Sequence, residues 1–489
     1  MKNWERFQKH MQEQSSLVQI LELLAWDQET YMPRNAIEQR AKQSAMISGL
    51  LHKQKTSTEF GDLIHSLEAE STEQTVAIQR IQNDFNRAKK IPTDLVERLT
   101  ESRSIATQSW AKAKENNDLS AFLPALQTVI ENTKEYAHCH PNAEHLYDNL
   151  LEEYDPGVRT KSLDTLFQRL EAELAPYVQE ELSKEQAEKL DIFIPKEAIS
   201  RINHRILEGF GFCFESGRLD SSSHPFTVGM SPHDVRLTTR NIETDFLGSI
   251  GGTIHEAGHG LYEQGLPVKL SNLGLCKAAG CGLHESQSRF YENMIGKSFA
   301  FYQWLSPIIY KESGLIISPK RLYKAANVVR PSLLRVYADE TTYNLHIIIR
   351  YQIEKALIED SLRIEDINEA WNDRYERLLG IRPDDAKDGM LQDIHWSSGL
   401  FGYFPSYTIG NLYSASFRFM MESDIPDIWK KVSKGDFGAA LSWLRSNIHS
   451  KGHVLSQDEI VCDAVGTRDH VADLMKHFRE RHQKVEELR

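Results

Sequence analysis

Residues 163–182 read LDTLFQRLEAELAPYVQEEL, and apolar side chains recur in this stretch at intervals of three and four positions. Leu163, Leu166, Phe167 and Leu170 open the series, and the same spacing continues to the end of the stretch. An α-helix turns once in about 3.6 residues, so this spacing collects the apolar side chains on one face. The stretch therefore predicts an amphipathic helix.

The same pattern extends over most of the chain. It recurs at LVQILELLAWDQ (17–28), and residues 1–205 read as one helix after another. It fails only in 209–241, where short alternating runs are bounded by Gly, Ser and Pro, as in a small antiparallel sheet. Helical periodicity returns over 248–489, with no linker and no internal repeat. The sequence therefore predicts a mainly α protein, a single helical body over 1–489 with one small antiparallel β-sheet.

Charge and cysteine content argue against a nucleic-acid-binding protein and against a secreted one. The 489 residues include 57 Lys and Arg against 70 Asp and Glu, which gives a net charge of −13. Nucleic-acid binding requires clustered cations, and no basic patch interrupts this acidic sequence. Five cysteines without a paired spacing favour a reducing compartment over a secreted protein.

Neither the N-terminal residues nor the longest uncharged run has the features of a targeting or membrane segment. The first residues, MKNWERFQKHMQEQ, lack the apolar core of a signal peptide. The longest uncharged run, 396–417, contains Ser, Asn, Tyr, Pro and Gly throughout, so it does not read as a membrane span. We therefore expect a cytoplasmic protein with no membrane partner and no nucleic-acid partner.

The sequence GGTIHEAGHGLYEQG at 251–265 contains an H-E-x-x-H motif. On a helix, His255 and His259 lie on one face, so both imidazoles can reach one tetrahedral metal ion. Glu256 would then lie beside the open position of the ion, where it can take a proton from bound water. The alternative is a helix with two ordinary surface histidines. The small, apolar neighbours of the motif favour the metal site, because a buried, metal-free group of this kind would be costly.

A catalytic zinc site usually has three protein ligands and one open position. The H-x-x-G-x-x-H continuation is absent, since position 262 is Tyr and position 265 is Gly. Glu285, in GLHESQSRFYENMIG, follows His259 by 26 residues, which leaves room for a loop and an antiparallel return helix. Alone, Glu285 would read as a solvated helix charge, but beside the two histidines it is the leading candidate for the third ligand.

Several ordered motifs give the chain a resemblance to a known family. It resembles the Taq-type metallocarboxypeptidases, also called the thermostable carboxypeptidase 1 family, nearly from end to end. A mild departure is Leu334, where the family often has Ile or Asn. The matching elements are WDQETYMP (26–33), HPF (224–226), D-x-R-x-T (234–238), H-E-x-x-H (255–259), H-E-S-Q (284–287), R-x-x-A-D (335–339) and G-x-x-Q-D-x-H-W (389–396).

The resemblance implies a fold and an activity that composition and periodicity do not. It implies a helical body split by a long, deep groove, similar in outline to neurolysin and angiotensin-converting enzyme. It also implies metal-dependent release of single C-terminal amino acids from peptides that have a free C-terminus. Members of the family are typically homodimers, with one zinc ion, or sometimes cobalt, in each chain.

Peptide hydrolysis also requires a hydrogen-bond donor for the tetrahedral oxyanion. The uncharged segment HWSSGLFGYFPSYTIGN (395–411) offers His395, Tyr403 and Tyr407. By analogy with related helical peptidases, Tyr407 is the predicted oxyanion donor, His395 is predicted to contact the substrate, and Tyr403 is a further donor. The alternative for Tyr407 is a core tyrosine whose hydroxyl is already satisfied.

An exopeptidase needs a cation that binds the terminal carboxylate of its substrate. Arg350, at the end of the apolar run LHIIIRY, is the first choice, and Arg335 of the R-x-x-A-D motif is the second. An unpaired buried guanidinium is expensive, so Arg350 must be paired or face a cleft. The alternative is a structural ion pair with Asp339, Glu340 or Glu354.

Two residues around the predicted sheet complete the candidate site. Arg236 and Asp234 are expected to brace the sheet edge or to orient a neighbouring side chain, and Arg236 is also the next candidate for the substrate carboxylate. His224 precedes Pro225 and is therefore expected in extended backbone, where it can contact a peptide substrate.

Two other functions use the same motifs. An oligopeptide-cleaving endopeptidase would share the metal chemistry and differ only at the closed end of the groove. A catalytically dead peptide-binding protein with a structural metal is the second alternative. The presence of Glu256 argues against it, because a structural site needs no base.

Overall fold

The computed structural model describes residues 2–140 and 143–488, so the first and last residues of the predicted unit and the pair 141–142 lie outside the described residues. The described chain is mainly helical with one small sheet, which confirms the predicted fold class. None of its described helices has both the length and the apolar character needed to cross a membrane.

Nine α-helices of the described ranges precede the sheet. In α8, the side chains of Leu163, Phe167, Leu170 and Leu174 are buried, as their spacing predicts. The helices are α1 (Lys2–Thr30), α2 (Ile37–Thr56), α3 (Thr58–His65), α4 (Thr72–Lys89), α5 (Thr93–Asn116), α6 (Leu119–His138), α7 (Asp148–Leu151), α8 (Thr160–Leu182) and α9 (Lys196–Phe210).

The sheet has three strands, and the prediction of a purely antiparallel sheet is wrong. Strands β1 (Gly217–Ser221) and β2 (Thr227–Ser231) both pair with the central strand β3 (Asp234–Thr239). β2 is antiparallel to β3, whereas β1 is parallel to it. The reason is that β3 lies between β1 and β2, and the connection from Ser222 to Phe226 crosses one end of β3, bonding to its backbone at both of these residues.

Eleven further α-helices of the described ranges follow the sheet. They are α10 (Phe246–Glu263), α11 (Cys281–Arg289), α12 (Phe299–Ser313), α13 (Pro319–Ala326), α14 (Glu340–Ile358), α15 (Ile367–Leu379), α16 (Phe404–Asp424), α17 (Ile428–Val432), α18 (Gly438–Asn447), α19 (Gln457–Val465) and α20 (His470–Glu487). A short π-helical segment, Phe290–Ile295, continues α11 directly. The largest hydrophobic cluster contains side chains from Ala106 to Val485. The assignment of one domain to the whole chain stays a prediction.

Two glycines allow α10, α11 and α16 to approach closely. A Cβ at Gly258, inside the H-E-x-x-H motif, would lie 2.3 Å from the backbone oxygen of Gln287 on α11. A Cβ at Gly410 of α16 would lie 2.6 Å from Cγ of Glu285. Real Cβ atoms do not approach other atoms this closely, so both positions need glycine. The two glycines therefore set the spacing of the helices that carry the candidate metal ligands.

The C-terminal part of α1 is fastened to the sheet by aromatic and charged side chains. The indole ring of Trp26 packs against the guanidinium groups of Arg236 and Arg218, at 4.4 and 5.1 Å from the ring centroid. The hydroxyl of Tyr31 donates to Asp220 on β1 at 2.6 Å. The WDQETYMP element thus joins α1 to β1 and β3.

Candidate metal centre

The structure brings together the three side chains that the sequence proposes as metal ligands. His255 and His259 lie one turn apart on α10, and Glu285 lies on α11 opposite them. Nε2 of His259 is 3.3 Å from Oε2 of Glu285, and Nε2 of His255 is 3.7 Å from the same oxygen. The candidate ligand atoms of the three residues lie within 4.8 Å of one another, so one ion could contact all three.

Two residues that the sequence analysis missed support this cluster. Arg289 donates from Nε to Oε1 of Glu285 at 2.6 Å, and Glu292 lies 2.8 Å from Nδ1 of His255. Arg289 also donates to Glu292 at 3.1 Å. A signal was available, because positions four and seven residues after Glu285 lie on the same face of a helix. Glu292 fixes the orientation of the His255 ring, as a carboxylate does for a metal-binding histidine.

Electrostatics keeps Glu285 and Glu292 ionised. Burial alone would raise the pKa of Glu285, but Arg289 and the two imidazoles outweigh burial and hold it well below its usual range. Burial is likewise outweighed at Glu292, where Arg289 and His255 lower the pKa to about 2. A buried, ionised carboxylate beside two imidazoles is a donor set that fits a divalent cation such as zinc.

The two histidines have different electrostatic surroundings. Burial opposes a charge on His255, but Glu285 and Glu292 outweigh burial and raise its pKa. At His259 burial prevails, with the help of His284, and lowers the pKa to about 3. The ring of His284 stacks on that of His259 at 4.5 Å between centroids. His259 is therefore neutral, the state in which an imidazole binds a metal.

Glu256 lies beside the cluster and is only 7% exposed. Its Oε2 accepts a hydrogen bond of 2.7 Å from the hydroxyl of Thr227 on β2. Burial raises the pKa of Glu256 above its ordinary value, while this hydrogen bond and His255 act in the opposite direction. A raised pKa brings a carboxylate closer to what a general base needs near neutral pH.

Tyr407, Tyr403 and His395 form a second group on the α16 side of the site. Both tyrosines are partly exposed, and their rings contact each other at 5.3 Å between centroids. The hydroxyl of Tyr407 is 3.3 Å from Nε2 of His395. Burial raises the pKa of Tyr407, and the nearby charge of Glu285 raises it further, so the phenol stays protonated and can donate. Burial lowers the pKa of His395 to about 3, so its ring is neutral.

Arg350 is fully buried, and its guanidinium is surrounded by acceptors of the protein itself. Nε and one terminal nitrogen lie 2.7 and 2.6 Å from Oδ2 of Asp393. The remaining N–H groups face the side-chain oxygen of Gln392, the carbonyl of His346 and the hydroxyl of Tyr375. The predicted partners on α14 and just before it are therefore wrong, because Asp393, 43 residues further along the chain, takes their place.

Arg335 binds the other oxygen of Asp393 but is less completely occupied. Its Nε and one terminal nitrogen lie 3.0 and 2.8 Å from Oδ1 of Asp393, and the other terminal nitrogen donates to Tyr343 at 2.9 Å. A guanidinium has five N–H groups. One hydrogen on each terminal nitrogen of Arg335 thus has no acceptor within residues 2–140 and 143–488.

His224 and Arg236 lie on the sheet side of the site. His224 is exposed, and a Cβ at Gly252 of α10 would contact the ring of the adjacent Pro225 at 3.4 Å. Arg236 makes a two-point ion pair with Asp234 at 2.9 and 3.1 Å, while its guanidinium also packs on the α1 indole described above. Because β3 is the central strand, Arg236 does not brace a sheet edge as expected, and its contact with Trp26 joins β3 to α1 instead.

The chain is similar in sequence to a known family and to named relatives over most of its length. The family model described as carboxypeptidase Taq (M32) metallopeptidase matches residues 6–482. Thermostable carboxypeptidase 1 of Thermus thermophilus is 38% identical over 460 residues, covering 90% of each chain. Carboxypeptidase 1 of Bacillus subtilis is 36% identical over 470 residues, covering 93% of each chain.

Solved structures agree with this result. An M32 carboxypeptidase from Deinococcus radiodurans has a TM-score of 0.95 at 32% identity, and metallocarboxypeptidase 1 of Trypanosoma cruzi has 0.92 at 30% identity. Each comparison covers 99% of both chains. The resemblance seen in the sequence motifs is therefore confirmed. The chain belongs to the carboxypeptidase Taq (M32) metallopeptidases, and it is a metallocarboxypeptidase, whose family implies a divalent metal and peptide substrates.

Proposed function

We propose that the protein is a zinc-dependent carboxypeptidase that releases single C-terminal amino acids, with one ion per chain bound by His255, His259 and Glu285. The observation that carries this proposal is the arrangement of Glu285, which turns one carboxylate oxygen toward both imidazoles. Three protein ligands of these types leave one position for water, as catalytic zinc sites require. Cobalt prefers similar ligands and could replace zinc.

The proposed general base is Glu256. A divalent ion bound here would lower the pKa of its water and polarise the scissile carbonyl. Glu256 follows His255 directly in the chain, is buried, and has one carboxylate oxygen that is not bound by Thr227. We infer that this oxygen takes the proton from water and later delivers it to the leaving amine.

Tyr407 is the proposed donor to the oxyanion. Its hydroxyl is protonated and only weakly bound, at 3.3 Å from His395, so a substrate oxygen could take that bond over. The neutral ring of His395 and the partly exposed Tyr403 are proposed as substrate contacts beside it. His224, exposed near the start of β2, is proposed as a contact for the peptide backbone.

Arg335, rather than Arg350, is now the first choice for the substrate carboxylate. Arg335 retains two N–H groups for a ligand, whereas those of Arg350 are all taken by the protein. The guanidinium of Arg289 lies 4.3 Å and that of Arg335 5.9 Å from the centroid of the Tyr343 ring, and Arg289 binds Glu285. Arg335 and the arginine bound to the candidate metal ligand thus share one aromatic neighbour, which supports a place for Arg335 near the site. Arg236 remains the reserve candidate, although Asp234 already occupies its guanidinium.

The remaining proposals concern the assembly and compartment. We propose a homodimer, because the family that the sequence resembles typically forms one. We also propose a cytoplasmic location, which the five free cysteines support. Sedimentation at several concentrations would test the first, and fractionation of cells would test the second.

The deciding experiment compares a peptide with a free C-terminus with the same peptide as its C-terminal amide. The wild type should carry about one equivalent of zinc and cleave only the free acid, one residue at a time. Glu256→Gln should keep its metal and lose activity by at least ~10²-fold, while the exposed control Glu197→Gln should match the wild type. Equal cleavage of acid and amide would point to an endopeptidase, and a fully active Glu256→Gln would remove the base from this role.

A further inference from the structure

The general base receives a hydrogen bond from outside its own helix. Thr227, on β2, is 2.7 Å from Oε2 of Glu256 through its hydroxyl oxygen and 3.1 Å from the backbone oxygen of the same residue. A hydroxyl has a single hydrogen, and the shorter, charge-assisted contact to the carboxylate is the stronger of the two. The side chain of Glu256 is therefore tied to the sheet as well as to α10.

The sheet fixes the position of this hydroxyl. Thr227 pairs with Leu237 of the central strand, and the side chain of Leu237 is fully buried. A shift of one residue in this pairing would turn Thr227 to the opposite face, so the buried leucine locks the register. Next to this pair, the backbone N–H of Thr238 donates to the carbonyl of Phe226 at 2.9 Å. The hydroxyl is thus held by a strand that is separate from α10 and carries none of the three candidate metal ligands.

The hydrogen bond divides the two oxygens of the carboxylate between two tasks. Oε2 of Glu256 is bound by Thr227, whereas no donor to Oε1 occurs within the described part of the chain. Without Thr227, the carboxylate could rotate about its terminal torsion, which is soft and roughly two-fold. With Thr227 in place, one oxygen is anchored and the other is available to a proton.

We propose that Thr227 is a positioning residue of the catalytic base, whose hydroxyl orients the carboxylate of Glu256 for proton transfer. This inference rests on the proposed role of Glu256. A purely structural role is the alternative, because the contact with the backbone oxygen of Glu256 also joins β2 to α10. The two roles differ in what they change, since orientation of the base affects the chemical step and not the binding of substrate or metal.

The test uses Thr227→Val, which keeps the shape of the side chain, and Thr227→Ser, which restores the hydroxyl. Thr253→Val is the matched control, because Thr253 is a buried threonine of α10 whose hydroxyl is 2.6 Å from that of Thr239 and not bound to Glu256. The metal-loaded enzymes are compared for kcat, KM, metal content and Tm. Thr227→Val should lower kcat by ~10- to 100-fold, the effect of losing a hydrogen bond to a charged group.

The positioning role also predicts what does not change. KM of Thr227→Val should stay within about threefold of the wild type, metal content should be equal, and Thr227→Ser should recover most of kcat. Thr253→Val should keep the kcat of the wild type, even if its Tm falls as much as that of Thr227→Val or more. If Thr227→Val does not fold, Thr227→Ala serves for the same measurement.

Three results would overturn the proposal. They are a kcat of Thr227→Val equal to that of the wild type, no recovery in Thr227→Ser, and an equal fall of kcat in Thr253→Val. Failure of the proposed function is a separate outcome, because Glu256→Gln would then retain activity. A dead Glu256→Gln together with a fully active Thr227→Val would reject only the role of Thr227.

Discussion

Two carboxylates with side chains no more than 10% exposed, Glu285 and Asp393, lie between cationic or potentially cationic side chains, but they leave different room for a ligand. Glu285 gives Oε1 to Arg289 at 2.6 Å. Its Oε2 faces His255 and His259 at 3.7 and 3.3 Å, and an imidazole is neutral when it binds a metal. A cation can therefore enter between Glu285 and the two rings.

Asp393 has no such vacancy. Oδ1 binds Arg335 and Oδ2 binds Arg350, and each guanidinium makes two contacts. Burial would raise the pKa of Asp393, but the two arginines outweigh burial and hold it far below its usual range. Charge and exposure are therefore similar at the candidate metal site and at the ion cluster of Asp393, Arg335 and Arg350. The two clusters differ in the atoms that remain for a ligand: the Nε2 atoms of His255 and His259 can bind an ion, whereas both oxygens of Asp393 bind guanidinium groups. Arg335 and Arg350 differ in the same way, because Arg335 has N–H groups without an acceptor in the described part of the chain and Arg350 has none.

The strongest test of this distinction replaces Oε2 of Glu285, the oxygen that faces the two imidazoles and also accepts a hydrogen bond of 3.0 Å from Ser288. Glu285→Gln keeps the size of the side chain but replaces an anionic ligand with a neutral amide. We expect the purified variant to contain little metal and to lose peptidase activity by ~10³-fold or more, because the site then has only two good ligands. Metal analysis and peptide assays measure this, with Glu197→Gln as control. Full metal content together with normal activity would remove Glu285 from the ligand set.

Asp393→Asn tests the ion cluster of Asp393, Arg335 and Arg350 in the same way. The variant leaves two buried guanidinium groups without their shared carboxylate, so the free energy of unfolding should fall by about 3–5 kcal/mol. Denaturant unfolding of the metal-loaded protein measures this effect. Metal content should remain near one equivalent in the protein that stays folded. An unchanged free energy of unfolding would show that the ion pairs of Asp393 do not stabilise the fold.

The two arginines provide the next test. Arg335→Ala should lower kcat/KM for free-acid peptides by ~30- to 1000-fold, about 2–4 kcal/mol, and should narrow the preference for acid over amide. Arg335→Lys should not restore that preference, because an ammonium lacks the two-point geometry of the guanidinium. Arg350→Ala should reduce stability while the folded fraction keeps the preference. If instead Arg350→Ala narrows the preference for acid over amide and Arg335→Ala does not, Arg350 becomes the leading candidate for binding the substrate carboxylate.

The smallest expected effect concerns Glu292, which contacts His255 of the candidate metal site and is not among the proposed ligands. Glu292→Gln removes the charge beside Nδ1 of His255 and should weaken metal affinity by ~10- to 100-fold. Competition with a chelator measures this affinity, and at saturating zinc much of the activity should return. If zinc affinity is unchanged, the orientation of His255 depends on its packing in α10 and not on this carboxylate.

Local spacing explains which parts of the site could be predicted from the sequence. The H-E-x-x-H motif and its small, apolar neighbours point to His255, Glu256 and His259. Glu285, on the next helix, then follows as the candidate third ligand. Arg289 and Glu292 could have been found by the same periodicity, continued along α11. Long-range pairs could not, since the ion pair of Arg350 joins positions 43 apart and the expected partners were all local.

In the fold, too, local features could be predicted from the sequence and long-range ones could not. Amphipathic spacing predicts helices such as α8 correctly, because a buried helical face depends on neighbours within two turns. The parallel pairing of β1 with β3 depends on which strand lies between the other two. A sequence pattern of alternating residues contains no information on that order. The hydroxyl of Thr227 was missed for a similar reason, because its partner Glu256 lies on another element, 29 residues away.

The exposed helix α2 has a practical consequence for following the molecule in solution. None of its twenty residues is buried, and Met46 is 64% exposed. A helix with so little buried surface can open locally at a small cost in free energy, so its amides should exchange with deuterium before those of α10 and α16. A spectroscopic label at position 46 would therefore report on the N-terminal helices while leaving the metal-binding helices in their native packing.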